Sequence, residues 1–197
     1  MRRGAVATCA RYEFSGEGGG EKIAVLLEQM EKQYPGRYKT GEICPGDSAP
    51  GIIARRDRLV PVPAVFGFPG FGDGRLLLNA RSETAGEKRT FAEALRERRI
   101  LLPAVGFFEW GRDPARTKYR FTPEGAPVFF LCGLYGVFED CLRFVILTRP
   151  ANGSMIGTHD RMPVLVGESQ VRPYLTDLDA ARALIAVSDP VLIRREA

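Results

Sequence analysis

From Arg99 to Val166 the chain is a succession of short apolar runs: "RILLPAVGFFEW", "KYRFT", "PVFFLCGLYGVF", "LRFVILT" and "MPVLV". Each is rich in β-branched or aromatic residues, and segments containing Gly, Pro or Asp separate each from the next. Runs of that length and composition predict short strands with tight connections, arranged as an antiparallel meander. The N-terminal half adds fewer elements. "ARYEF" reads as a strand and "GEGGG" as a flexible break. In "EKIAVLLEQMEKQY" the residues Ile23, Leu26, Leu27 and Met30 share one helical face, and Pro35-Gly36 ends the helix. "VPAVFGFPGFGDG" predicts a strand running into an exposed loop, and "RLLLNA" another strand. Thr90 and Glu93 have capping-box spacing before a short helix to about Arg98, and "ESQVRPYL" and "LDAARALIA" read as helices.

The whole reads as one α+β domain with a strand-rich, mostly antiparallel, barrel-like centre flanked by short helices. Residues 9–197 form the domain and residues 1–8 an N-terminal extension. At 197 residues the chain can bury a substantial core, and 26% charged residues against 45% apolar ones is ordinary for a globular protein. No run predicts a membrane span or a signal peptide, so a cytoplasmic, monomeric protein is expected. Four cysteines without CxxC or Cys/His spacing predict reduced thiols, no metal site and no cofactor. A net charge of +4 suits a polyanionic partner without demanding one. The basic clusters at Arg55-Arg56-Asp57-Arg58 and Arg96-Glu97-Arg98-Arg99 read as solvated faces.

Several residues could carry chemistry. His159, in "THDRMP", is the single histidine of the chain, and is either a loop residue or an acid/base. Glu109, in "GFFEW", either faces water by strand alternation or is desolvated, which would raise its pKa toward a useful range. Asn79 could orient a reacting group or cap a strand end. Cys9 could be a nucleophile or a small buried residue.

The motifs "NARSETA", "GFFEW" and "THDRMP", in that order behind "CARY", closely resemble those of the SRAP family. These are the abasic-site processing proteins, also known as SOS response-associated peptidases. The resemblance runs from Cys9 to the closing "DPVLIRRE" and includes "GFPGF" and "FVILT" with "PANGSM". It implies that the α-amine of Cys9 attacks the aldehyde of an abasic deoxyribose in single-stranded DNA, and that the thiol then closes a thiazolidine crosslink. It further implies that Asn79 positions the reactants, Glu109 is a general acid/base, and His159 protonates the sugar-ring oxygen. Arg11, Arg81 and Trp110 would contact DNA, with Phe71 as an aromatic wedge at a strand junction. Arg11 and Arg81 each follow a catalytic neighbour by two residues, so strand alternation would put each pair on one side. Asp160 and Arg161 would fix the loop of His159.

The chain departs from the family's Met-Cys-Gly-Arg start: eight residues precede Cys9, and alanine follows it. A peptide nitrogen cannot form a Schiff base, because its lone pair is delocalised into the carbonyl. The expectation is therefore removal of residues 1–8, a later start, or loss of crosslinking. Two other functions stay open: a thiol peptidase using Cys9, His159 and Glu109, which cuts peptides or only its own N-terminal segment, and a non-catalytic DNA-binding module.

Overall fold

In a computed structural model the structure describes residues 9–15, 20–56, 58–70 and 74–197. The extension 1–8, the Gly-rich segment 16–19 and Phe71 lie outside the described residues.

The strands are β1 (Arg11–Phe14), β2 (Gly41–Ile43), β3 (Ser48–Arg55), β4 (Arg58–Phe66), β5 (Phe68–Pro69), β6 (Leu76–Leu77), β7 (Asn79–Arg81) and β8 (Arg99–Ala104). They continue as β9 (Gly106–Trp110), β10 (Lys118–Pro123), β11 (Phe129–Phe138), β12 (Cys141–Pro150), β13 (Arg161–Pro163), β14 (Leu165–Val166) and β15 (Leu192–Glu196). The helices are α1 (Gly20–Gln33), α2 (Ser82–Ala85), α3 (Ala92–Glu97), α4 (Val171–Thr176) and α5 (Leu178–Val187). This is the α+β domain that the run pattern predicts.

The connectivity is not a meander. The order β12-β4-β3-β8-β11 returns to β12 through the β11–β12 hairpin, so the centre closes as a ring. The strand β9 directly follows β8 yet joins a second, five-stranded sheet in the order β15-β10-β9-β1-β2. Among the described residues two pairings are parallel, β12 with β4 and β12 with β7. Local runs specify strands but not partners: β3–β4, β9–β10 and β11–β12 are neighbours in sequence, but β4–β12, β3–β8 and β1–β9 join strands far apart along the chain. The hairpin itself turns on Glu139 and Asp140, both at positive φ, as a two-residue turn matching strand twist requires.

Apolar alternation divides the core in two. The ring interior and its contact with the second sheet hold Tyr12, Phe66, Phe107, Phe121 and Phe144, with Phe66 and Phe144 stacked at 4.9 Å. The outer face of the ring packs Val145, Leu147, Tyr174 and Ala181 beneath the helices. Within β11, between β8 and β12, Gly133 is required, since a Cβ there would lie 2.7 Å from the Val145 carbonyl oxygen.

Two local expectations need correction. Helix α3 forms, but no side chain caps it, and Glu93 pairs with Arg98 rather than closing a capping box with Thr90. Arg99 is not on a solvated face. It is 7% exposed and donates to the carbonyl ends of α3 and α4 at Leu95, Tyr174 and Leu175, where a buried cation finds its acceptors. On α1, Met30 is buried and Leu27 half-buried, while the side chains of Ile23 and Leu26 are outside the described part of the structure.

Candidate active site

Glu109 lies on β9, where alternation gives Phe107 and Glu109 to one face and Phe108 and Trp110 to the other. Phe107 pairs with Tyr12 and Phe121, both fully buried, so the Phe107–Glu109 face is the core face. Glu109 is accordingly 3% exposed, and burial lifts its pKa to about 7, against the opposing pull of the Cys9 N–H. That excludes a water-facing carboxylate.

Cys9 is the partner that the fold delivers. It sits just ahead of β1 in the left-handed region, φ 53°, which non-glycine residues rarely adopt and which concentrates at functional sites. Its backbone nitrogen donates to Glu109 Oε1 across one hundred residues of sequence. Its thiol is buried, and desolvation first and then the Glu109 charge push its pKa well above the ordinary value. The sulfur is thus a neutral thiol, and the group that Glu109 is placed to serve is the nitrogen.

Asn79 enters from the ring. The β7 strand runs parallel beside β12 with Asn79 opposite Ile146 and Arg81 opposite Thr148. Asn79 Nδ2 is buried and has no hydrogen-bond partner among the described residues. An unmet buried donor costs about 1–3 kcal/mol, and such groups in folded proteins call for a role such as binding. Arg81 is two residues on along the same strand, exposed, and paired with no carboxylate among the described residues.

His159 occupies the loop before β13, half-buried. The Arg161 backbone N–H donates to its Nδ1 at 3.0 Å, which fixes the neutral tautomer with the proton on Nε2. Burial lowers its pKa, with the Arg112 and Arg161 cations adding to the effect and Asp160 opposing it, so the ring is neutral at pH 7. Two ion pairs hold the loop. Asp160 binds Arg112, three residues past Glu109. Arg161 binds both oxygens of Glu83 and the Thr148 carbonyl, beside the row that carries Arg81. Arg161 draws the Glu83 carboxyl down to about 2. Sequence reasoning overlooked Arg112 and Glu83; each lies in or beside one of the sequence motifs, but only tertiary contact reveals its partner.

Cys9 and Glu109 therefore touch, and the His159 loop is tied to the strand ends bearing Glu109 and Arg81. Alternation within β7 keeps Arg81 with Asn79, but Arg11 does not follow Cys9. Cys9 precedes the strand in a left-handed turn, so strand alternation does not extend to it. Arg11 pairs with Phe108, and its guanidinium lies 5.3 Å over Trp110, on the sheet face opposite Glu109.

A family model described as SOS response associated peptidase (SRAP) matches residues 8–192. The chain is 28% identical over 179 residues to abasic site processing protein YedK of Escherichia coli, covering 85% of this chain and 79% of that one. It is 32% identical over 127 residues to abasic site processing protein YoqW of Bacillus subtilis, covering 59% and 57%. A solved protein from Bordetella bronchiseptica has the same fold, with a TM-score of 0.75 at 18% identity over 96% of this chain and 99% of that one. Another, from Bacteroides thetaiotaomicron, aligns at 0.73 and 19% over 95% and 91%.

Proposed function

The chain belongs to the SOS response-associated peptidase (SRAP) family, and on that premise we propose that it captures abasic sites in single-stranded DNA as a covalent thiazolidine crosslink. Its curated relatives bear the name abasic site processing protein, which supports the substrate class. The observation that carries the reading is the Cys9 nitrogen bonded to a buried carboxyl group whose pKa is about 7.

The steps follow from that contact once the nitrogen is a free amine, which requires removal of the residues ahead of Cys9. The ammonium passes a proton to Glu109, and the neutral amine adds to the aldehyde carbon of the opened sugar. Glu109 returns the proton to the carbinolamine hydroxyl, which leaves as water and gives the protonated iminium. The Cys9 sulfur then adds to the iminium carbon, and the thiol proton passes to the Glu109 carboxylate, leaving a neutral thiazolidine nitrogen. Amine and thiol sit on adjacent carbons, so closure is intramolecular and strongly favoured. Ionised beside the ammonium, Glu109 accepts the proton, and once the amine is neutral its burial favours the acid form that returns it. The Nε2–H of His159 donates to the ring oxygen during opening, and the unmatched Asn79 Nδ2–H binds a lesion oxygen. Arg81, exposed and free of any carboxylate among the described residues, takes a flanking phosphate. Phe71 remains the proposed wedge.

A thiol-peptidase reading would need a Cys9 thiolate, which burial and Glu109 disfavour. A purely DNA-binding module would leave the Cys9–Glu109 contact without a use. The expected setting is a cytoplasmic monomer acting on DNA; among the described residues no helix is long and apolar enough to cross a membrane.

The test compares the 197-residue chain with a form beginning at Cys9, using an oligonucleotide with one abasic site. The shorter form should give a crosslink that survives denaturing electrophoresis, and acetylation of its amine should abolish it. The longer form, with residues 1–8 verified by mass, should bind without a durable crosslink. A durable crosslink from the verified longer form refutes the amine route.

A further inference from the structure

On the outer face of the five-stranded sheet, one carboxylate holds two cations. Arg11 Nη1 donates to Glu42 Oε1 at 2.8 Å, and Lys118 Nζ donates to the other oxygen, Glu42 Oε2, at 2.7 Å. Both cations also lie against the aromatic pair of β9. Arg11 is 5.3 Å over Trp110, and Lys118 is 4.1 Å over Phe108 and 5.9 Å from Trp110. The register explains the cluster: Arg11 pairs with Phe108 and Lys118 with Trp110, so all four side chains emerge on one face. The neighbouring Glu13 pairs with Arg120, with no second cation among the described residues. At Glu42, by contrast, two cations share a single negative charge, which leaves a local positive excess.

A carboxylate receiving one cation on each oxygen has the geometry of a phosphodiester, whose two non-bridging oxygens have similar spacing and charge. Along the strands the cluster is next to the reactive centre, on the other face of the sheet. Arg11 is two residues after Cys9, and Trp110 directly follows Glu109. A single strand leaving the lesion over the ends of β1 and β9 reaches this face, where half-buried Trp110 lies beside both cations.

We propose that Arg11 and Lys118, beside Trp110, form a two-cation seat for a backbone phosphate of single-stranded DNA, occupied by the Glu42 carboxylate until DNA displaces it. Glu42 then acts as an internal competitor that preorganises both cations while lowering affinity. Lys118 joins the DNA-contacting residues as a phosphate ligand. The inference rests on the DNA reading above and deepens it.

The test uses a dye-labelled oligothymidylate without a lesion and the full chain, with affinity read by anisotropy over a salt series. Glu42→Gln should bind about 3- to 10-fold more tightly, because the seat loses its competitor. Glu168→Gln, the same charge change on a surface turn, should move affinity less than about twofold. Lys118→Ala should weaken binding and flatten the salt slope by about 0.7, the value of one phosphate on a single strand. Melting curves check that each variant folds, and Lys118→Ala leaves no like-charge pair behind should Glu42→Gln be unstable. Glu42→Gln binding no more tightly than Glu168→Gln, or Lys118→Ala keeping the parental slope, overturns the seat. If the form starting at Cys9 still crosslinks abasic DNA in that case, the seat is wrong and the crosslinking reading stands. Absence of oligonucleotide binding by every form overturns both.

Discussion

Glu109→Gln should stabilise the 197-residue chain at pH 8. Unfolded, the carboxyl titrates near 4.5; folded, burial holds it at about 7. A folded pKa raised above the unfolded one gives stability that is complete below about pH 4.5 and is lost as pH climbs through about 7. The shift corresponds to about 3 kcal/mol of penalty at pH 8, at roughly 1.4 kcal/mol per pH unit. Glutamine keeps the oxygen that accepts the Cys9 N–H but cannot ionise, so it escapes the penalty. For a chain of this size that amounts to a melting temperature higher by roughly 6–12 °C at pH 8. The gap between variant and parent should shrink steadily below pH 7 and vanish near pH 4. The assay is thermal unfolding by circular dichroism from pH 4 to 8, taking the difference between the two proteins so that every other titration cancels. A variant less stable than the parent at pH 8, or a gap independent of pH, refutes the buried-carboxylate account. In the form beginning at Cys9 the sign should reverse, because the ammonium then pairs with the carboxylate and glutamine leaves it unpaired.

In that form, the crosslinking rate should rise with pH as the Cys9 ammonium gives up its proton to the carboxylate, measured as initial rates on gels; a rate that falls as pH rises through neutrality contradicts the amine route. His159→Ala should slow crosslinking by about a hundredfold or more while DNA affinity stays within a few fold, and a parental rate would return the imidazole to a structural role. Asn79→Ala should raise the melting temperature slightly by removing an unmet buried donor, yet slow crosslinking by about tenfold; normal kinetics would remove it from the site. Arg81→Ala should weaken single-strand binding equally at all base sequences and reduce the salt slope by about 0.7, as loss of one phosphate contact requires.

Sequence by itself determines what depends on neighbours along the chain. The apolar runs specify strands, Pro35-Gly36 stops α1, and the motifs identify Cys9, Asn79, Glu109 and His159 as the candidate reactive set of a family that the chain belongs to. Alternation within β7 places Arg81 on the same side as Asn79, as a period of two demands. That period, however, fixes parity and not which parity faces the core. Glu109 is buried, and Trp110 is not, because β1 and β10 present Tyr12 and Phe121 to the core beside Phe107. Arg11 loses its expected side because Cys9 turns through positive φ before β1 begins. Arg99, inside a run of charges, is buried because two helices from different parts of the chain end against it. The β7–β12 pairing is parallel and non-local, and no local run of residues encodes it. Desolvation, tautomer and ion pairing are sums over groups that only folding brings together, so the pKa of Glu109, the proton on His159 Nε2 and the shared carboxylate of Glu42 belong to the tertiary structure.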